Sequence, residues 1–160
     1  MITHVKELHT LDAPAFNRAV AELAGYTVRY FGDAPAPDSR AWRLLDPNGQ
    51  VVGGFARLYP VTPYWDDDGQ YITHEMFAAS SDEAWIAVPN VAKDINAAWA
   101  LFDDVPVRVM ADKWNDTIVR IWSADSHLVP DVEEMHEQPA RALATAWAAW
   151  KLAKSAKATG

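Results

Sequence analysis

The chain has 160 residues, of which half are apolar and 22% are charged, and this balance fits one globular domain and excludes global disorder. It contains no cysteine, so disulfides, thiolate nucleophiles and cysteine-based zinc sites are excluded. A formal net charge of −8 disfavours binding to nucleic acid, and no apolar run is long enough to span a membrane.

The first strong element is a helix, predicted from Ala13 to Ala24. Asp12 is a good N-cap, and Pro14 falls in the first turn, where its missing N–H is not needed. Gly25 is a natural residue to end the helix. Apolar side chains recur at helical spacing between these ends, at Phe16, Val20 and Leu23.

A strand is predicted next at Thr27–Phe31, followed by a hairpin. The turn is Asp46–Gly49, because Pro47 presets its backbone and the following Asn and Gly tolerate left-handed conformations. Its arms are predicted at residues 41–45 and 50–59. Residues 60–70 read as a loop, residues 71–79 stay ambiguous, and the segment around Trp85 fits either a short strand or a turn.

A central helix is predicted after Asn90, its candidate N-cap. Its apolar side chains lie on one face, at Val91, Ile95, Ala98, Trp99 and Phe102. The pair Asp103-Asp104 is unfavourable at the negative end of a helix dipole, so we expect the helix to end there.

Alternation of apolar residues predicts a second hairpin, with strands at Val105–Met110 and Thr117–Trp122. With Lys113–Asn115 as its loop, Arg108 falls directly opposite Arg120. The same register makes Asp112 face Asp116 and Met110 face Ile118.

An acidic loop is predicted from Ser123 to Glu137. The last helix begins at Pro139 and places Leu143, Trp147 and Trp150 at helical spacing. Residues 155–160 read as a disordered tail after a single domain spanning residues 1–154.

These elements predict an α+β fold in one domain. Three main amphipathic helices need an apolar sheet face to cover, so we expect a mixed or antiparallel sheet built from hairpins, with helices packed on it.

Three segments resemble a bacteriophage domain family, the phage ABA sandwich. They are the opening helix with its final Gly-Tyr, the central helix with the hairpin after it, and the start of the last helix, at residues 11–26, 94–122 and 139–144. The resemblance implies an α/β/α sandwich of phage or prophage origin. It implies no reaction, and by analogy it suggests a host-interaction or counter-defence role.

Motifs that would carry catalysis are weak. There is no Gly-rich phosphate loop before a helix and no serine nucleophile elbow. Asp66–Gly69 could ligate a divalent cation but is more typical of a solvated loop tip. His136 with its neighbouring Glu133, Glu134 and Glu137 fits an acid–base pair or, more simply, an acidic surface loop.

The Arg108–Arg120 juxtaposition is the most specific candidate site. Like charges opposite each other destabilise a strand pair unless something neutralises them. Nearby carboxylates are the simpler answer. The functional answer is an anion held between two guanidinium groups, with Trp122 alongside. Further candidate ligand-binding residues are Tyr64, Trp65 and Arg57.

We therefore predict binding rather than catalysis, with no metal and no cofactor. The first hypothesis is a phage accessory protein that sequesters a small anionic, nucleotide-type host signal or blocks a host defence protein. The second is a structural or assembly protein acting by self-association, and the third is a hydrolase using the acidic loop residues. The first residues lack the apolar core of a secretion signal, so we expect a cytoplasmic protein, and we also expect a homo-oligomer.

Overall fold

The structure is a computed structural model that describes residues 2, 4–30, 42–52, 64–65, 71–72, 78, 80–103, 105–113, 116–123 and 130–158. Its helices are α1 (Val5–Leu8), α2 (Ala13–Ala24), α3 (Ser81–Ala84), α4 (Ile95–Ala100) and α5 (Pro139–Ala158), with a 3₁₀ turn at Trp85–Ala87. Its strands are β1 (Thr27–Tyr30), β2 (Trp42–Leu45), β3 (Tyr64–Trp65), β4 (Tyr71–Ile72), β5 (Val107–Lys113), β6 (Thr117–Ser123) and β7 (Val132–His136).

Every pairing between these strands is antiparallel, in the ladders β1–β2, β3–β4 and β5–β6–β7. The predicted α+β class, with antiparallel sheets built from hairpins, is therefore confirmed. The chain divides into two compact units, of which unit 1 contains Met1–Ala24 and Pro89–Gly160, and unit 2 contains Gly25–Val88.

Helix α2 matches its prediction from end to end. The Asp12 carboxylate accepts a hydrogen bond from the Ala15 N–H (2.9 Å), as expected of an N-cap. Gly25 follows the helix with φ +99°, a left-handed conformation that favours glycine. Phe16 and Val20 are buried in the core of unit 1, so the apolar stripe that predicted the helix is also the face that packs.

Helix α5 lies at the centre of unit 1. Its residues Ala144, Trp147 and Ala148 pack with α1, α2 and the turn after Asn90. Its residues Ala140, Leu143 and Ala146 pack instead against Val119 and Ile121 of β6. Because both sides of the helix are covered, Ala142–Ala148 form an unbroken buried run.

The central helix is shorter than predicted. It begins at Ile95, and its N-cap is Asp94, whose Oδ1 accepts hydrogen bonds from the N–H groups of Asn96 (2.9 Å) and Ala97 (3.3 Å). The expected N-cap, Asn90, has another partner, since its side-chain oxygen accepts a hydrogen bond from Asn17 of α2. The prediction that the helix starts after Asn90 was therefore wrong, because Asp94 caps the N–H groups that follow it.

The predicted acidic loop from Ser123 to Glu137 was also wrong, because its last part is a strand. β7 pairs with β6 in a register that sets Arg120 opposite Glu133 and Ile121 opposite Val132. Before β7, the Asp131 carboxylate accepts hydrogen bonds from the backbone N–H and the hydroxyl of Ser123, both at 2.6 Å. These bonds lower the pKa of Asp131.

Unit 2 contains the first hairpin turn. Asp46 Oδ1 accepts hydrogen bonds from the N–H groups of Asn48 (2.9 Å) and Gln50 (2.8 Å), and Gly49 has φ +79°. The turn at Asp46–Gly49 is therefore confirmed. The strand β2, which precedes the turn, pairs with β1. Leu45, the last residue of β2, also forms an isolated bridge to Val51, which follows the turn. Around Trp85 the chain is helical, in α3 and the 3₁₀ turn.

The last helix starts at Pro139 as predicted but continues to Ala158. The prediction that residues 155–160 form a disordered tail was therefore wrong for 155–158, which are helical and exposed. In the part of the chain that the structure describes, no helix is both long enough and apolar enough to cross a membrane.

Candidate binding face of the three-stranded sheet

The β5–β6 hairpin has a register two residues away from the predicted one. Met110, rather than Arg108, lies opposite Arg120, and Asp112 lies opposite Ile118 rather than Asp116. The prediction that two guanidinium groups face each other was therefore wrong. Like charges directly opposite are unfavourable, and a shift of two residues avoids them while every side chain stays on its own side of the sheet.

We define the outer face as the side of β5–β6–β7 away from α5. Val119 and Ile121 of β6 are fully buried against α5, and alternation puts the intervening side chains on the opposite side. Three cross-strand rows make up this outer face: Arg108–Trp122, then Met110–Arg120–Glu133, then Asp112–Ile118–Met135.

Arg120 is neutralised within the outer face. Its Nη1 donates a hydrogen bond to Asp112 Oδ2 (2.9 Å) on β5, and its Nε donates to the Glu133 carboxylate on β7. This arrangement explains how a cation is accommodated in the middle strand. It is also the simpler of the two answers that the sequence left open, namely nearby carboxylates rather than a bound anion.

Arg108 is arranged differently. Its guanidinium lies 4.5 Å from the ring centre of Trp122, the residue directly opposite, and Trp122 is only 7% exposed. No carboxylate pairs with Arg108 among the described residues. The stacking fixes the guanidinium plane and leaves its N–H donors for other acceptors. It also covers the Trp122 ring, so that this ring is not free to stack on a flat ligand.

Exposed apolar side chains flank the ion-paired arginine. Met110 is 47% exposed and Met135 is 58% exposed, and both lie on the outer face. Ile118, directly opposite Met135, is partly buried. Methionine side chains are flexible and polarisable, and they recur at surfaces that bind other proteins.

The remaining candidate ligand residues belong to unit 2 of the chain. Tyr64 and Trp65 form the short strand β3 in unit 2, and their side chains lie outside the described residues. Arg57 and the carboxylate cluster Asp66–Gly69 lie outside the described residues altogether.

A second polar cluster lies on the other side of the sheet, where β7 meets the helices. Glu134 Oε2 is 3.4 Å from Nε2 of His9, which follows α1. Burial raises the pKa of Glu134, although His9 opposes the shift. The expected acidic surface loop is therefore a strand that turns Glu134 inward beside the buried Val119.

His136 and Arg141 belong to the same region. Burial, assisted by the positive charge of Arg141, lowers the pKa of His136, whose Nδ1 accepts a hydrogen bond from the Gln138 N–H (3.0 Å). Arg141 donates hydrogen bonds to the carbonyls of Leu8 and Leu11 and stacks on Phe16 at 4.4 Å. Arg141 thereby anchors the segment that leads from α1 to α2.

Sequence reasoning missed His9 and Arg141 because their partners are distant in the chain. No periodicity links residue 9 to residue 134. Within the described ranges, no group of three or more His, Asp or Glu side chains is arranged to hold a metal ion.

No family model matches the chain, and no match was found among the curated proteins or the solved structures. The fold defines an α+β protein with antiparallel sheets. The resemblance to the phage ABA sandwich family stays a prediction based on the three segments that carry it.

Proposed function

We propose that this protein acts by binding another protein, with the outer face as its contact surface. The observation that carries the proposal is the pair of exposed methionines, Met110 and Met135, on either side of a neutralised Arg120. Methionine and arginine are both enriched at protein interfaces, and an arginine that is already paired avoids the cost of burying an unpaired charge.

Sequestration of a small nucleotide-type anion has less support. Its basis was a pair of arginines facing each other, but Arg120 is held by two carboxylates and Arg108 lies on the Trp122 ring. Among the described residues, Arg108 is a single guanidinium whose neighbouring aromatic ring is already covered, and such an arrangement is a weak receptor for a nucleotide. Of the two activities first expected for a phage accessory protein, blocking a host protein is therefore favoured.

The biological setting belongs to the same proposal. A phage or prophage origin is implied by the family resemblance alone, and a cytoplasmic location is part of the same proposal. In that setting the partner is a host protein in the bacterial cytoplasm, and a defence protein is the first candidate.

The test compares two exposed apolar positions, one in each unit of the chain. Met135→Lys places a charge on the outer face, and Ile86→Lys makes the same change at a residue of unit 2 that is 57% exposed. A host protein captured by the wild type is purified and titrated against all three chains. We expect Met135→Lys to weaken binding about tenfold or more, and Ile86→Lys to leave it within twofold.

Two outcomes contradict the proposal. In the first, Met135→Lys binds the purified partner as tightly as the wild type does. In the second, a nucleotide raises the melting temperature of the wild type, is recovered unchanged, and has no effect on Arg108→Ala. That second result would support sequestration of a small anion instead.

A catalytic alternative rests on the His9–Glu134 pair. A carboxylate with a raised pKa close to an imidazole is the type of arrangement that general acid–base catalysis uses. If the protein hydrolyses a substrate through this pair, Glu134→Gln reduces kcat about 100-fold or more while the fold is retained. A hydrolysis rate that Glu134→Gln leaves unchanged would exclude this alternative.

A further inference from the structure

Within the part of the chain that the structure describes, β5 lies at an edge of its sheet. Among the described residues it pairs with β6 alone, over all seven of its residues. Side chains on both of its sides are exposed, with Arg108 and Met110 on the outer face and Ala111 on the other. An edge strand presents unpaired N–H and C=O groups, which can add a further strand to the sheet.

The charges along β5 are arranged symmetrically about Met110, the middle residue of the strand. Arg108 lies two residues before Met110 and Asp112 lies two residues after it, and all three are on the outer face. An antiparallel pair of β5 strands centred on Met110 would therefore set Arg108 of each copy opposite Asp112 of the other. Opposite charges in directly facing positions stabilise a strand pair.

From this symmetry we propose that β5 pairs with β5 of a second copy of the chain, in antiparallel register about a twofold axis at Met110. The two three-stranded sheets then form one six-stranded sheet. The contact is isologous, because each copy contributes the same strand. This inference does not depend on the proposed function, and it leaves Met135 available for a partner.

Other symmetric registers lack this match. A twofold axis at Arg108 sets two arginines opposite each other, and an axis at Asp112 sets two aspartates opposite each other. An axis at Val109 puts Arg108 opposite Met110, which leaves the cation without a partner. An axis at Ala111 puts Asp112 opposite Met110, so among these registers only the one centred on Met110 sets Arg108 opposite Asp112.

The local contacts fit the same register. Asp112 uses Oδ2 to accept a hydrogen bond from Arg120, and its other oxygen accepts none from the described residues. Arg108 has no carboxylate partner within the described ranges. Pairing of two copies supplies the acceptor that Arg108 lacks and the second donor that Asp112 can accommodate.

The experiment measures the mass of the full chain in solution by sedimentation velocity. The chain has a mass of 17.8 kDa, and we expect the wild type to sediment as a dimer at micromolar concentration. Arg108→Asp sets aspartates opposite each other, and Asp112→Arg sets arginines opposite each other. Each variant alone is expected to weaken dimerisation about tenfold or more, because both symmetric pairs become repulsive.

Mixing the two variants gives a decisive result. An Arg108→Asp chain paired with an Asp112→Arg chain has opposite charges at both positions, so the mixture is expected to form a heterodimer. Misfolding cannot produce that gain. Lys93→Asp is the matched control, because it makes the same charge change at an exposed residue away from β5 and should leave the dimer intact.

A second variant covers the case in which a charge reversal prevents folding. Met110→Lys sets two cations on the twofold axis, and lysine is a residue that edge strands commonly carry. Two results would overturn the proposal. In the first, the wild type stays monomeric at 100 times the concentration used for the variants. In the second, Met110→Lys chains dimerise as tightly as the wild type does. The proposal would also be overturned if Arg108→Asp alone and Asp112→Arg alone each dimerised as tightly as the wild type does.

Discussion

Asn17 connects α2 to the turn that precedes α4. It is 8% exposed, its Oδ1 accepts a hydrogen bond from the Ala92 N–H (2.9 Å), and its Nδ2 donates to Asn90 Oδ1 (3.0 Å). Asn17→Ala leaves the buried Ala92 N–H without an acceptor, so we expect a loss of about 1–3 kcal/mol in the free energy of unfolding. Urea denaturation of the variant and the wild type measures this loss in the free energy of unfolding.

The control for this prediction is Asn96→Ala, which removes an exposed amide. That variant should stay within about 0.5 kcal/mol of the wild type. Equal stabilities of Asn17→Ala and Asn96→Ala would show that the buried amide contributes nothing.

The lowered pKa of His136 predicts that the stability of the protein depends on pH. Its folded pKa lies below its ordinary value of 6.5, so the stability it contributes is present above pH 6.5 and is lost as the pH falls through the folded pKa. The charged or titratable groups that act on it are Arg141, Glu137, His9 and Asp116. We expect the free energy of unfolding to decrease on acidification in this window.

The comparison variant is His136→Asn, whose side-chain oxygen can still accept the hydrogen bond from the Gln138 N–H but does not titrate. The contribution of Glu134 to stability changes with pH in the opposite direction. Its raised pKa gives stability below about pH 4.5 that is lost as the pH rises through the folded pKa. Glu134 is present in both chains, so their difference isolates His136. Parallel pH profiles for the two chains would contradict the prediction.

At the scale of single residues, the sequence could predict which side of the sheet Arg108, Arg120 and Trp122 occupy, because alternation determines it. It could not predict which residue faces which, because a register shift of two residues preserves the alternation. The neutralising partner Glu133 lies on a strand that has no apolar alternation, so the pairing of Arg120 could not be derived.

At the scale of elements, the start of α4 gives the next prediction. Asp94 accepts hydrogen bonds from the N–H groups of Asn96 and Ala97, so Asp94→Ala is expected to reduce the free energy of unfolding by about 1 kcal/mol. Thermal unfolding followed by circular dichroism measures the change. Asp103→Ala is the control, because it removes an exposed carboxylate after the helix, where no N–H needs a cap. Similar losses for both variants would mean that the cap is unimportant.

Elements with local signals were predictable. α2 has a cap, a stripe of apolar residues and a terminal glycine, and its bounds agree with the prediction. The turn at Asp46–Gly49 and the start of α5 were predictable for the same reason. β7 was not, because it forms by pairing with the edge of β6 and its own sequence has no apolar alternation.

At the scale of the whole molecule, unit 1 is built from two separate stretches of sequence. Phe16 is fully buried, packs in one cluster with Trp147, and carries the Arg141 guanidinium on its ring. Phe16→Ala is therefore expected to destabilise the chain by about 3–5 kcal/mol and to increase amide hydrogen exchange in α5 as well as in α2.

Hydrogen exchange followed by mass spectrometry distinguishes these regions. Ile95→Ala, at a side chain that is 44% exposed, serves as the control and should leave α5 protected. Faster exchange confined to α2 in Phe16→Ala would mean that the two stretches do not unfold together.

The same division of unit 1 has a consequence during protein synthesis. Leu8 and Phe16 emerge from the ribosome early, but Ala144 and Trp147, against which they pack, are translated only after the whole of unit 2. The apolar face of α2 must therefore remain uncovered while most of the chain is being made. A nascent chain in this condition is a natural substrate for chaperones, and the speed of elongation through unit 2 sets how long that exposure lasts.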